Sequence, residues 1–178
     1  PRPLRIWDAS SELVLLYSDG EGSLQGGIGA ACWLNPASDS CVPVAANWRT
    51  PEPLRQLWAR QQSHVFNDML DIEAVAPLLA LVTWPSIFEN RLWIHLLGNN
   101  SAISSRVRGS SSVTVGDLIV GETWRQVANL GTAPWFDRAE SASNPVDGLS
   151  RRRLRGPWGL ALSLRFPAFT RRLIARGL

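Results

Sequence analysis

The stretch LLYSDGEG at residues 15–22, followed by GGIGA at residues 26–30, decides the fold class of this chain. Residues 13–17 form a short apolar run that ends in Ser-Asp-Gly, and residues 28–34 form a second apolar run after two glycines. Turn-forming residues between two such runs predict a β-hairpin. Residues 41–48 fit a third strand, in which Pro43 favours an edge position or a bulge.

The hydrophobic period changes from that of a strand to that of a helix after residue 71. Apolar residues then recur on one helical face, with Asp71 as a candidate N-cap and Pro85 beyond the end: Ile72, Val75, Ala76, Leu79 and Val82. Pro77 predicts a kink or a later start. The sequence then predicts five further elements in this order: a strand at residues 92–97, helices at 101–108 and 117–130, a strand at 134–139, and a final helix opened by the NPVDG turn at 144–148. This order predicts an α/β layer structure, a mixed sheet with helices on its faces.

Composition and length set the class of protein. The chain has 178 residues, 45% of them hydrophobic and 19% charged, which excludes collagen, a coiled coil and wholesale disorder. Cys32 and Cys41 have no partners at zinc-finger spacing, so we expect both to be reduced core residues. The sequence shows neither a signal peptide at residues 1–8 nor a spanning apolar window, which predicts a soluble, intracellular protein with no membrane partner. The start at Pro1 suggests a domain of a longer polypeptide.

Charge divides the chain into two parts. Every basic residue is arginine, which either reflects a G+C-rich coding sequence or serves phosphate binding. Residues 1–150 hold 10 arginines and all 15 acids, a net charge of −5, whereas residues 151–178 hold 8 arginines and no acid, a net charge of +8. We therefore expect a main domain at residues 1–150 and a basic, arginine-rich C-terminal segment at 151–178.

Three acids stand at the ends of apolar elements. Asp19 ends the first strand, Glu73 lies in the first turn of the long helix, and Asp147 begins the last helix. Three such acids could converge on one edge of a sheet, and convergent oxygens are what Mg²⁺ requires. The alternative is turn and cap chemistry, because Asp-Gly favours a turn and acids favour helix N-termini.

The ordered set of motifs resembles a known family. The hairpin at residues 15–30, the run IEAV at 72–75 with LLAL at 78–81, and SNPVDGLSR at 143–151 are similar to the ribonuclease H-like domains of retroelement reverse transcriptases. The resemblance spans about residues 12–151. It implies a mixed five-stranded sheet with helices on both faces, and hydrolysis of the RNA strand of RNA·DNA hybrids by two-metal chemistry. It also implies Mg²⁺ or Mn²⁺ as cofactor, Asp19, Glu73 and Asp147 as catalytic metal ligands, and an adjoining reverse transcriptase domain as partner.

One element departs from the family pattern. The fourth strand of the family ends in an aspartate followed by asparagine, but residues 96–103 here read LLGNNSAI, so Gly98 or, in the other register, Asn99 replaces the third carboxylate. We expect weakened metal binding and impaired hydrolysis, unless Glu21, Asp117 or Asp137 substitutes. The alternatives are an inactive domain that binds hybrid and supports a reverse transcriptase, and an integrase- or exonuclease-like relative on the same fold.

Two basic regions are candidates for nucleic-acid contacts. Arg106, Arg108 and Ser110 follow the altered position, and Arg151, Arg152 and Arg153 open the basic segment. Arginines and serine hydroxyls can hold phosphates. The alternatives are a solvated helix face for the first region and a membrane-surface segment or linker for the second. His95 lies in an apolar strand, which favours a core residue over a catalyst. The chain contains no Walker A loop, dinucleotide fingerprint or Gly-x-Ser-x-Gly elbow.

Overall fold

The computed structural model describes residues 12–21, 27–38, 41–50, 68–111, 114–156 and 159–165. The strands in these ranges are β1 (Leu13–Gly20), β2 (Gly27–Leu34), β3 (Val44–Arg49), β4 (Leu92–Leu97), β5 (Ala133–Arg138), β6 (Arg155–Gly156), β7 (Gly159–Leu160) and β8 (Leu162–Arg165). The α-helices are α1 (Asp68–Thr83), α2 (Pro85–Phe88), α3 (Asn100–Arg108), α4 (Thr114–Asn129) and α5 (Asp147–Ser150).

Six of the described strands form one mixed sheet in the order β5-β4-β1-β2-β3-β8. β1, β2 and β3 pair in antiparallel fashion, while β1 with β4, β4 with β5, and β3 with β8 pair in parallel. The predicted α/β architecture is confirmed. The sixth strand, β8, comes from the segment expected to be a basic tail; the division of the chain at residue 150 stays a prediction.

Helices cover the two faces of the sheet unequally. α1 packs on β1 and β2, and α4 packs on α1, which encloses the main core around residues such as Leu16, Trp48 and Leu79. The short α5 lies on the other face, where Val146 and Leu149 join a smaller apolar cluster. Along β1 the side chains alternate, so Ser18 is buried on the core side and Asp19 is half-buried on the side of α5.

Two helices differ from the sequence prediction. α1 begins at Asp68 and continues through Pro77, so Glu73 lies in its second turn and not its first. The final helix has only four residues before the chain turns into the β6–β7 ribbon. Cys32 and Cys41 are both free, as expected; Cys32 is buried and Cys41 half-buried. None of the described helices is long and apolar enough to cross a bilayer.

The close approach of α5 to the sheet depends on Gly29. A Cβ at this position would lie 2.7 Å from the Ser150 amide nitrogen and 3.0 Å from the Leu149 carbonyl carbon. Both atoms belong to the backbone and cannot rotate away. Because Gly29 has no side chain, α5 can rest directly on β2 and hold its residues over the sheet.

We expect Gly29→Ala to destabilise the fold by about 1–3 kcal/mol, since the added methyl group forces backbone atoms apart. Gly121→Ala is the matched control, because a Cβ at Gly121 would meet nothing within 4 Å. At this exposed position of α4 the replacement should stabilise the fold by up to about 1 kcal/mol. Urea denaturation of both variants measures the difference, and equal shifts for the two would contradict the role given to Gly29.

Candidate functional site

Strand register places four positions in one row across the sheet. Asp19 pairs with Gly29, Gly29 with Asn47, and Asn47 with Ser163. On the other side, the parallel register of β1 and β4 runs from Leu13 opposite Leu92 to Tyr17 opposite Leu96. The same register continued by two residues sets Gly98 beside Asp19. β4 itself ends at Leu97, so Gly98 takes this place just past the end of the strand and brings no side chain to it.

Asp19 is held by α5 from across the chain. Ser150 Oγ donates a hydrogen bond to Asp19 Oδ2 at 2.5 Å and shares its proton with the Asp147 carbonyl at 2.8 Å. Burial raises the pKa of Asp19, the Ser150 hydrogen bond opposes the rise, and the charge of Asp147 adds to it. The sequence prediction missed Ser150, because nothing local marks a serine as the partner of a carboxylate 131 residues away.

Glu73, on α1, lies near the end of β1 that carries Asp19. A Cβ on Gly20 would clash with the Ile72 side chain, so the missing side chain at Gly20 lets α1 pack closely on the end of β1, with Glu73 Cγ 3.5 Å from that Cβ position. Glu73 is 5% exposed, and its Oε2 has no hydrogen-bond partner among the described residues. Burial and the charge of Asp19 raise the pKa of Glu73 to about 7, against the opposing effects of Arg106 and the Asn99 N–H.

Arg106 lies in the interior and not on the predicted nucleic-acid surface. It is 1% exposed, and its Nη2 donates to the Glu73 carbonyl oxygen at 2.8 Å. The reason lies in α1: Pro77 has no N–H to donate to the carbonyl four residues before it, which is that of Glu73. Arg106 supplies the missing donor and sets a buried positive charge near the Glu73 carboxylate. The proline inside the helix was the sequence signal for such a donor.

Asp147 completes the group of predicted acids, but with a partner of its own. Its side chain is 44% exposed and forms an ion pair with Arg151 at 3.1 Å. Asn144 fixes the preceding turn by donating to the Ser18 carbonyl at 3.0 Å and accepting from the Val146 N–H. The Asp147 charge raises the pKa of Asp19, and the Asp19 charge raises that of Glu73, so the three predicted acids lie within electrostatic range in this order.

Asn99 and the three acids expected to substitute for the third carboxylate lie in different places. Asn99 caps α3, where its Oδ1 accepts from the Ser101 and Ala102 amides. Asp117 accepts from the Ser111 amide at the start of α4, and Asp137 lies on β5 beside Leu96. Of the three candidate acids, Glu21 is the one whose charge contributes to the raised pKa of Asp19.

The donor set fits one cation better than two. Two adjacent carboxylates with an unpartnered buried oxygen are suited to a hard cation that relieves their repulsion. A two-ion site needs more acids: the third position is Gly98 and Asp147 is paired with Arg151. In the part of the chain that the structure describes, no group of three or more His, Cys, Asp or Glu side chains is arranged to hold a metal ion. The expected two-metal set therefore does not fit these residues.

The remaining predicted residues divide between surface and core. Arg108, Ser110, Arg152 and Arg153 are exposed, and Arg151 is exposed with Asp147 as its partner. His95 is fully buried, as expected: its Nε2 lies 2.7 Å from Ser18 Oγ, and its ring stacks on Trp93. Burial holds the pKa of His95 well below its usual range. A neutral, enclosed imidazole is a core residue.

Comparison with known proteins gives the fold but not a family. No protein-family model and no curated protein matches the chain. Among solved structures, it is similar to the N-terminal ribonuclease H domain of Rv2228c from Mycobacterium tuberculosis, with 13% identity, a TM-score of 0.52, and coverage of 79% of this chain and 92% of that one. The ribonuclease H1 of Halobacterium salinarum NRC-1 matches at 12% identity and a TM-score of 0.46, over 74% of this chain and 89% of that one. LC11-RNase H1, solved with an RNA/DNA hybrid, matches at 10% identity and a TM-score of 0.41, over 77% and 92%. The first of these similarities establishes the fold alone.

Proposed function

We propose that this chain, whose fold is ribonuclease H-like, is a nucleic-acid-binding domain of a retroelement that hydrolyses RNA in RNA·DNA hybrids at an impaired rate. The observation that carries this proposal is the register of β1 and β4, which continued past Leu97 puts Gly98 beside Asp19, with Glu73 next to Gly20. The retroelement origin and the adjoining reverse transcriptase domain rest on the ordered motifs from residue 12 to residue 151.

Asp19 and Glu73 would hold Mg²⁺ or Mn²⁺. A cation bound there supplies charge stabilisation at a phosphoryl oxygen and lowers the pKa of its water. The chain itself positions the two ligands: the Ser150 hydroxyl orients Asp19, and the Asn99 N–H fixes Glu73. With no carboxylate at Gly98, we expect a loss of about 3–4 kcal/mol of transition-state stabilisation, a rate lower by roughly two to three orders of magnitude.

The alternative is a catalytically inactive domain that binds hybrid and supports the reverse transcriptase. The ion pair between Asp147 and Arg151 favours it, because that carboxylate must leave its partner before it can bind a metal. The buried Arg106 favours it as well, since its charge already partly offsets that of Glu73. The proposed phosphate contacts are the same in both functions: Arg108, Ser110 and Arg151 to Arg153. Arg106 is no longer among them, because it is buried.

A cleavage and binding assay tests the proposal. We expect the wild-type protein to bind a hybrid with a labelled RNA strand and to cleave it slowly in Mg²⁺ or Mn²⁺. Asp19→Asn should remove the residual cleavage and retain binding. Cleavage that Asp19→Asn leaves unchanged would point to a contaminating nuclease and to the inactive alternative. Preference for duplex DNA would favour the integrase- or exonuclease-like relative, and failure to bind any nucleic acid would overturn the proposal.

A further inference from the structure

A second positively charged site lies at the β3–β8 edge of the sheet, away from Arg108. It is a groove of about 420 Å³ lined by Asn47, Arg49, Arg152, Leu154, Ser163 and Leu164. We propose that this groove, called here the Arg49–Arg152 groove, binds a backbone phosphate of the nucleic acid. The inference rests on the proposed function, because it assumes that the domain binds nucleic acid.

Strand register and α5 together form the groove. Asn47 is buried and donates to the Leu149 carbonyl at 2.8 Å, so its side chain lies on the face that α5 covers. Arg49, two residues along β3, points to that same face because side chains alternate along a strand. Arg152 reaches the groove from the turn after α5, and Ser163 from β8 beside Asn47. The extra strand β8 is therefore part of the site.

No acid among the described residues pairs with the arginines of the groove. Within the described ranges, the side chains of Arg49 and Arg152 form neither an ion pair nor a hydrogen bond. Elsewhere in the described ranges, Arg91 pairs with Glu12, Arg125 with Glu122 and Arg151 with Asp147. Asp147, the acid of α5, therefore already has Arg151 as its ion-pair partner. Two guanidinium groups without an acidic partner in the described ranges, together with Ser163, suit a phosphate, which accepts bidentate hydrogen bonds from arginine.

The backbone at Arg152 gives a separate indication. Its φ is 67°, and the other described residues with positive φ, glycines aside, are Asn35 and Asn90. Asparagine tolerates this left-handed conformation well, whereas a longer side chain adopts it at a cost of roughly 1 kcal/mol. The turn is held by bonds from the Arg152 amide to the Leu149 carbonyl and from the Arg153 amide to the Gly148 carbonyl. A fixed, strained arginine at the rim of a charged groove indicates a binding role.

The groove lies close enough to Asp19 for one nucleic-acid strand to contact both. Asn47 is two strands from Asp19 and Ser163 is three. At roughly 4.8 Å per strand, the groove lies about 10–14 Å from Asp19. That span is short enough for a few nucleotides of one strand to reach both places. A backbone phosphate in the groove could therefore hold the strand whose other phosphate lies over Asp19 and Glu73.

Salt-dependent binding tests the groove. We expect Arg49→Gln and Arg152→Asn each to weaken binding of a labelled RNA·DNA hybrid several-fold in EDTA. Each should also reduce the slope of log K against log salt by about 0.7–0.9, the value for one lost phosphate contact. Asparagine is chosen at residue 152 because it tolerates the positive φ. Arg125→Gln, on α4, removes the same charge elsewhere and should leave affinity and slope within error of the wild type.

The outcomes separate the two proposals. If the wild type binds hybrid and both groove variants behave like Arg125→Gln, the groove assignment is overturned and the proposed function stands. If the wild type binds no nucleic acid, both are overturned. If the variants lose binding of a labelled poly-glutamate peptide and keep hybrid binding, the groove takes an acidic protein segment and the phosphate assignment is wrong. Thermal unfolding checks that both variants remain folded.

Discussion

Gly98→Asp is expected to raise the rate of RNA hydrolysis in a hybrid by about two to three orders of magnitude, with little change in hybrid affinity. The register of β1 and β4, continued past Leu97, puts position 98 beside Asp19, so the new carboxylate would join Asp19 and Glu73 at the end of β1. Binding should change little because the proposed phosphate contacts are arginines and a serine elsewhere. Single-turnover cleavage and anisotropy titration measure the two quantities separately.

The backbone at residue 98 accepts the substitution. The described glycines with positive φ are Gly109, Gly131 and Gly159, so Gly98 is not held in the left-handed region. A third carboxylate beside two whose pKa values are already raised adds repulsion, and the apo variant should unfold at a lower temperature than the wild type. Mg²⁺ should raise the melting temperature of the variant more than that of the wild type, because a cation that binds only the folded state stabilises it.

Two controls make the Gly98 result decisive. Gly98→Asn adds a side chain of the same shape without the charge, and should leave cleavage at the wild-type rate. Asp19→Asn combined with Gly98→Asp should lose the gain. An equal rise with asparagine, or no rise with aspartate under saturating Mn²⁺, would show that the missing carboxylate does not limit this site.

Arg106→Met is expected to destabilise the fold by about 3–5 kcal/mol at pH 8, because it leaves the buried Glu73 carboxylate without its nearby positive charge. The Glu73 carbonyl also loses its donor, and Pro77 cannot replace it. For a chain of this size, each kcal/mol lowers the melting temperature by roughly 2–4 °C. The expected fall is therefore large enough for thermal or urea unfolding to measure without ambiguity.

The destabilisation caused by Arg106→Met should decrease as the pH falls. The pKa of Glu73 is raised to about 7 in the folded protein, so the folded state binds more protons than the unfolded state between pH 4.5 and 7. The carboxylate is thus mostly protonated at pH 6, and removing its counter-charge then matters less. We expect Arg106→Met to cost less at pH 6 than at pH 8. The remaining loss at pH 6 reports the hydrogen bond and packing of Arg106 alone.

Arg108→Met is the matched control, since Arg108 lies on the same helix but is exposed. That change should stay within about 0.5 kcal/mol of the wild type. Adding Glu73→Gln to Arg106→Met should recover part of the stability at pH 8, because a neutral amide needs no counter-charge. If Arg106→Met is as mild as Arg108→Met at both pH values, the interior arginine does not act as the counter-charge of Glu73.

Local patterns in the sequence were enough for the order of the elements and for several of their bounds. β4 runs over Leu92–Leu97, as its continuous apolar run predicts; one face of this strand is buried and the other is half-buried. The hairpin of β1 and β2 was equally clear from two apolar runs and their turn residues. The positions of Asp19 and Asp147 at the ends of elements, and the lack of a carboxylate at Gly98, could also be read from the chain.

What the tertiary structure alone decided was which distant residues meet. Arg106 and Arg108 have the same chemistry two positions apart, yet only the packing of α3 against α1 buries one and exposes the other. The hydrogen bond from Ser150 to Asp19 and the pairing of β8 with β3 join segments more than a hundred residues apart. Periodicity reports how a residue relates to its near neighbours in the chain. It carries no information on the partners that chain folding brings to the carboxylates and to the Arg49–Arg152 groove.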